Sequence, residues 1–397
     1  MKIRTVIFCL SVAVALSACT RHKELDPVEN ITESTDPMRF STQDSDLESS
    51  ATKASTPLRE GFMVSCWKSF GDSDQQTVMG DYQVIYKTSA WYNSSQWGYV
   101  GSAGEFYQDQ YEKYWDYANF PYRFHAISPA PVSGGSKISG FRLTDSELVI
   151  PTSVEFKMQT LSNVGGVLTV QPASTASPKP EPYIVAQVHR DELGKDTDII
   201  SGLQINDASD TKNRSVAIPF HHLTSKIRFG IYTTSLGTAS ALISDVKVVV
   251  KSSDFVTSAK GYRSDLSSNN MLQGAFTSTV KSTSTDLVLV DTGSTGLTGN
   301  DMADCKSKTT AFWCGTKDGL LQIPQENVQM YISFKVGTRE FSGTITVDSN
   351  SLFTWTENNI YTYYIIVSSL IPLEIEFTAT LEPWQDISGA LETDIEK

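Results

Sequence analysis

Leu287-Val-Leu-Val-Asp291-Thr-Gly-Ser294 sets an aspartate after four apolar residues and before Thr-Gly-Ser, the pattern that carries a catalytic carboxylate in aspartic proteases. That chemistry shares one proton between two carboxylates at close range, so it needs a second Asp-Thr/Ser-Gly copy or a dimer. The sequence holds no second copy, and a strand entering an Asp-Gly-type turn accounts for the tetrapeptide. His221-His222 suggests a metal or a base, but adjacent side chains on a strand point to opposite faces and do not converge on one ion. One of the two is expected to be packed and the other exposed. His125 and His189 stand alone in strand-like runs and read as core or surface imidazoles. With no Gly-rich phosphate loop, Ser-His-Asp signature or Cys-His context, the chain reads as a non-enzyme without a cofactor.

Cysteine offers little more. Cys305 and Cys314 enclose eight residues, a spacing open both to a hairpin disulfide and to two thiols. No second pair stands near them at a zinc spacing and no histidine lies within twenty residues, so they are not read as metal ligands.

The densest feature is aromatic. Between Tyr82 and Phe124, 15 of 43 residues are Phe, Tyr or Trp, against 41 of 397 in the whole chain. Many lie among Gly, Ser, Asn and Gln, where exposed rings would stack on sugars or anchor a protein partner; Trp91, Trp97 and Trp115 are the candidate ligand contacts. The alternative is that these rings fill a core.

Positioning such residues falls to strands. From Gly61 onward, runs such as Phe62-Met-Val-Ser-Cys-Trp67, Tyr122-Arg-Phe-His-Ala-Ile127, Lys226-Ile-Arg-Phe-Gly-Ile-Tyr232 and Gln329-Met-Tyr-Ile-Ser-Phe-Lys-Val336 alternate with period two and are cut by Gly, Asn, Asp and Pro. That texture predicts an all-β chain of antiparallel sandwiches. The polar segment 190–214 divides the strands, giving an N-terminal sandwich over 59–212 and a C-terminal one over 213–397, although the same segment also reads as a long loop within one sandwich. Residues 19–58 are rich in Ser, Thr, Asp and Glu and read as a polar spacer, with Met38-Arg-Phe40 as a short strand candidate.

Residues 1–18 read as a signal: Lys2 and Arg4 precede an 11-residue apolar run, too short to span a bilayer. Leu16-Ser-Ala-Cys19 looks like a bacterial lipobox, which makes Cys19 the acylated residue and an outer-membrane anchor. A formal charge of −13 repels phosphates and argues against a nucleic-acid partner.

The lipobox, Thr52-Lys-Ala-Ser55 after the spacer, Tyr122-Arg-Phe-His-Ala-Ile-Ser-Pro129, Ile218-Pro-Phe-His-His-Leu-Thr-Ser-Lys-Ile-Arg-Phe229, Tyr361-Thr-Tyr-Tyr-Ile-Ile366 and Leu381-Glu-Pro-Trp-Gln-Asp386 together resemble the fimbrillin (Mfa-like) family, the type V pilus subunits and surface lipoproteins of Bacteroidales. The resemblance implies two tandem transthyretin-like β-sandwich domains, a place in fimbriae at the cell surface, and assembly with other fimbrial subunits by strand exchange. It also implies trimming by an arginine- or lysine-specific protease, with Lys53 and Arg59 as the candidate cut positions. In the family the exchanged strand comes from the C-terminal segment. Here Ile387, Leu391 and Ile395 share one parity and would line one face of an extended strand, although neighbouring Glu392, Asp394 and Glu396 also suit a solvated tail. A tip or anchor subunit, an adhesin for a host glycan or protein, and a plain surface lipoprotein are the competing roles.

Overall fold

The computed structural model describes residues 36–41, 61–69, 75–91, 95–99, 110–133, 136–192, 195–205, 215–233, 243–293, 304–314, 317–347, 350–367 and 375–383. Strands build it throughout; among the described residues helix is confined to 3₁₀ geometry at Asp304 and Lys308–Thr310. The all-β sandwich architecture is therefore what the chain adopts.

The first strands are β1 (Arg39–Ser41), β2 (Phe62–Lys68), β3 (Gln76–Trp91), β4 (Ser95–Gly98) and β5 (Tyr122–Ser128). One seven-stranded sheet runs Lys195–Asp198, Ile184–Glu192, β5, β2, β3, β4, with His221–His222 added beside Ile184–Glu192. Both of its faces are covered. Met63, Ile127 and Val185 pack toward a four-stranded sheet containing Glu147–Lys157 and Val256–Asp265. Phe62, Val64, Phe124, Ala126 and Val188 point the other way, into a second core. Every residue of β5 is consequently buried, whichever way it points.

A third and larger core lies between a six-stranded sheet, which holds Ile243–Val250 and Met330–Val336, and a five-stranded sheet, which holds Ser225–Thr233 and Asn359–Val367. Strands from either side of residue 212 share sheets. Glu147–Lys157 pairs with Val256–Asp265, and Thr160–Val164 pairs in parallel with Leu287–Asp291.

Val256–Asp265 escapes the period-two reading because a bulge sits within it. The register shifts between Lys260 and Tyr262, and Gly261 takes φ +61 there, with an added Cβ meeting the Ile150 carbonyl at 3.0 Å. Inward-facing Ala259 and Tyr262 are thereby three residues apart instead of two.

His125, on β5, ties the seven-stranded sheet to its neighbours. Its Nδ1 lies 2.8 Å from the Thr144 carbonyl, and its Nε2 lies 3.4 Å from the Gln187 amide nitrogen. Met271 N–H donates to the Gln187 Oε1, which turns the amide NH₂ toward the ring, so Nε2 accepts and Nδ1–H donates. Complete burial, reinforced by the nearby Arg123 charge, pushes the imidazole down to about 3. An unfolded chain takes up that proton near pH 6.5 and the folded one does not, so stability rises with pH across this window. Unfolding free energies from urea titrations are expected to fall between pH 6.5 and 4 by up to about 1.4 kcal/mol per pH unit from this group, and His125→Gln should remove that part of the slope.

Candidate functional site

The segment Asp36-Pro-Met-Arg-Phe-Ser41 lies along the second core and is gripped on both edges. β1 pairs in parallel with Ser215–Ala217, in the register Arg39 to Ser215, Phe40 to Val216 and Ser41 to Ala217. On the opposite edge Met38 N–H donates to the Lys113 carbonyl (2.7 Å), and Trp115 N–H donates to the Asp36 carbonyl (3.1 Å). The Tyr99 hydroxyl donates to the Met38 carbonyl (3.1 Å) while accepting from Lys113 N–H. Burial holds the Tyr99 phenol well above its ordinary pKa, so it remains a neutral donor.

Alternation decides what this short strand contributes. Met38 is 0% exposed and Phe40 2%, both inside the core, while Arg39 between them lies at its rim. The Phe40 ring meets Phe62 and Tyr99 at 5.8 Å and Phe124 at 6.1 Å, each edge-on. Burying these two side chains stabilises the folded state by about 1.5–3 kcal/mol each.

The walls beside β1 have their own supports. Gln110 accepts from Gln83 N–H and donates to the Gln83 and Tyr99 carbonyls, fastening the 110–117 segment to β3. Arg190, fully buried, grips the Asp196 carboxylate with Nε and Nη2, donates from Nη2 to the Ser215 carbonyl (2.8 Å), and lies 4.5 Å over the Trp115 ring. None of Tyr99, Gln110 or Arg190 carries a motif that would have marked it in the sequence.

Burial corrects the ligand-contact reading. Trp97 is 8% exposed, against Phe62 and Tyr86, and Trp115 is 1% exposed, against Tyr122 and Phe124. Among the described residues short strands and loops cover this face of the sheet, and large rings fill the space between them. Of Trp91 only the backbone, at the end of β3, is described. The exposed aromatics nearby are Tyr111, Tyr114 and Tyr117.

The histidine expectation also needs correction, since both members of the His221-His222 pair are buried. They do point apart, His221 to Asp198 (2.8 Å) and His222 to Glu181 (2.6 Å), but each face of this strand is covered. Asp291 forms a turn, its carboxylate accepting Gly293 N–H at 3.0 Å. No disulfide joins Cys305 and Cys314. Thr233 N–H donates to the Cys305 carbonyl and Cys314 N–H to the Phe229 carbonyl, four residues away along one strand. That offset is about 13 Å, whereas a disulfide needs Cα atoms within roughly 7 Å. Cys19, Lys53, Arg59, Ile387, Leu391 and Ile395 lie outside the described residues. Among the described residues no cluster of three or more metal-ligating side chains occurs, and no helix is long and apolar enough to cross a membrane.

The profile of a family described as fimbrillin-like matches residues 71–384. The chain belongs to the fimbrillin-like family. Solved structures similar to this fimbrillin-like chain include a fimbrial protein from Bacteroides vulgatus, at 12% identity and TM-score 0.41, with 88% of this chain and 99% of that one covered. A putative cell adhesion protein from Bacteroides uniformis aligns at 14% identity and TM-score 0.37, covering 82% and 92%. A tip fimbrial protein from Porphyromonas gingivalis with a C-terminal truncation aligns at 10% identity and TM-score 0.29, covering 82% and 96%. No curated protein sequence matches.

In this fimbrillin-like chain the short segment around β1 places Met38 and Phe40 in the core. Phe40→Ala is expected to cost about 3–5 kcal/mol, read as a lower thermal midpoint. Val164→Ala, at a hairpin tip 60% exposed, should stay within about 0.5 kcal/mol of the parent.

Proposed function

We propose that this chain is a structural subunit of cell-surface fimbriae that assembles by strand exchange once its N-terminal segment has been trimmed. One observation carries the reading: the segment 36–41, three of whose residues form β1, fills a core with Met38 and Phe40, yet is joined covalently to β2 through residues 42–61. That connection contains both Lys53 and Arg59. Cleavage after either separates β1 covalently from the sandwich, together with Cys19 and its acyl chains.

Departure of β1 exposes the backbone edge of Ser215–Ala217, the 113–115 edge and an apolar trough floored by Phe62 and Phe124. A strand from another chain supplies both the missing hydrogen bonds and the missing side chains. In this account the 387–395 segment is the donor given to a neighbouring subunit. The uncut, acylated form is the membrane-held precursor, and a subunit that escapes cleavage ends the fibre at its base.

Surface material should be sheared from cells and run unboiled on SDS gels, with N-terminal sequencing of each band. The expected result is a ladder that collapses on boiling, its subunits starting after Lys53 or Arg59. Monomer alone, blocked at an acylated Cys19, overturns the reading in favour of a lipoprotein that does not polymerise.

A further inference from the structure

We infer that the trough under β1 is built for a strand of the pattern large apolar, basic, large apolar, supplied by a different subunit, and that it discriminates against this chain's own 387–395 segment. The inference rests on the strand-exchange reading and adds what the trough selects.

Two features of β1 define the selection. Met38, immediately before β1, and Phe40 within it stand two residues apart and are both buried, so the trough has two adjoining places for large side chains. Between them Arg39 turns to the rim and pairs with Glu112 at 3.5 Å, the two side chains only 16% and 23% exposed. Among the described residues, two further basic side chains near that rim are committed elsewhere: Lys68 pairs with Asp116 at 2.6 Å, and Lys113 lies over the Tyr82 ring at 5.6 Å. The second Glu112 oxygen takes the Tyr114 hydroxyl. When β1 leaves, Glu112 loses its cation. An occupant with a basic residue there restores the pair, whereas an acidic one sets two carboxylates side by side.

The 387–395 segment fails on both counts. In its apolar parity it reads Ile387, Gly389, Leu391, Thr393, Ile395, so its large residues are four apart. Every register that seats Ile387, Leu391 or Ile395 in one cavity puts Gly389, Thr393 or a flanking polar residue, Gln385 or Lys397, in the other, so no register supplies two large apolar residues. The residues that then fall at the Arg39 position are Asp386, Ser388, Ala390, Glu392, Asp394 or Glu396, none of them basic. A donor with anchors four apart suits a trough shaped differently from this one. Unlike subunits therefore adjoin: this chain receives its strand from one kind of neighbour and gives its own to another.

The test uses the full chain, cut between residues 42 and 60 by an arginine/lysine-specific protease. It is then warmed in mild urea with equal excesses of three synthetic peptides: isotope-labelled 36–43, the same peptide with Arg39→Glu, and 387–397. Native mass spectrometry reads which peptide the chain retains. The expected result is uptake of labelled 36–43, at least tenfold less of the Arg39→Glu peptide, and no measurable 387–397. In a Glu112→Lys chain the preference between the first two peptides should reverse. Uptake of 387–397 equal to that of 36–43 overturns the selectivity while leaving strand exchange standing. So does equal uptake of both 36–43 peptides in the parent and Glu112→Lys chains. Failure of labelled 36–43 to enter at all overturns this inference and strand exchange together.

Discussion

One guanidinium holds together the two walls between which β1 lies. Arg190 is shielded from solvent, as is Asp196, so its charge carries a large desolvation cost that is offset by a two-point bond to the carboxylate and by the electron-rich face of Trp115. The remaining bond, to the Ser215 carbonyl, fixes the strand that β1 pairs with, while Trp115 belongs to the segment on the opposite side. None of these contacts includes a β1 residue. A pair of walls tied to each other without using the strand between them forms a slot whose shape does not depend on that strand.

The same arrangement accounts for the aromatic density between Tyr82 and Phe124. One face of the seven-stranded sheet is covered by a four-stranded sheet and needs no special residue types there. Among the described residues the other is covered by short strands and the 110–117 segment, and Trp97, Tyr99 and Trp115 pack into the core beneath them. Rings with few rotatable bonds lose little entropy on burial and cover large areas from loops. Aromatic enrichment here records an incompletely layered core.

Local alternation was legible in the sequence and pairing was not. Met38-Arg-Phe40 read as a strand from three residues because the apolar–polar–apolar period is visible without knowing its partner. That its partner is Ser215–Ala217, far along the chain and parallel, has no local signature. Val256–Asp265 went unread because the Gly261 bulge moves Tyr262 out of phase with Ala259. The exposure of Trp97 and Trp115 was likewise undecidable, since Gly- and Ser-rich flanks mark a loop without saying which face of the loop meets a sheet. Adjacent histidines were rightly separated onto opposite faces, but that strand is covered on both sides, a property of the layers above and below it.

Covering on both sides gives the His221-His222 strand a mechanical part in the trough. It follows Ser215–Ala217 after three residues and is locked at its far side by one asparagine. Asn358 Oδ1 accepts His222 N–H at 3.0 Å, its amide NH₂ donates to His221 Nδ1 at 2.9 Å, and its backbone N–H donates to the Thr224 carbonyl. Because the backbone donor fixes which end of the amide faces His222, His221 Nδ1 must accept, and its Nε2–H points to Asp198. Asn358 sits at φ +57 immediately before Asn359–Val367, a central strand of the largest core. The strand beside β1 is thus pinned at one end by Arg190 and, a few residues on, by a turn rooted in the other sandwich.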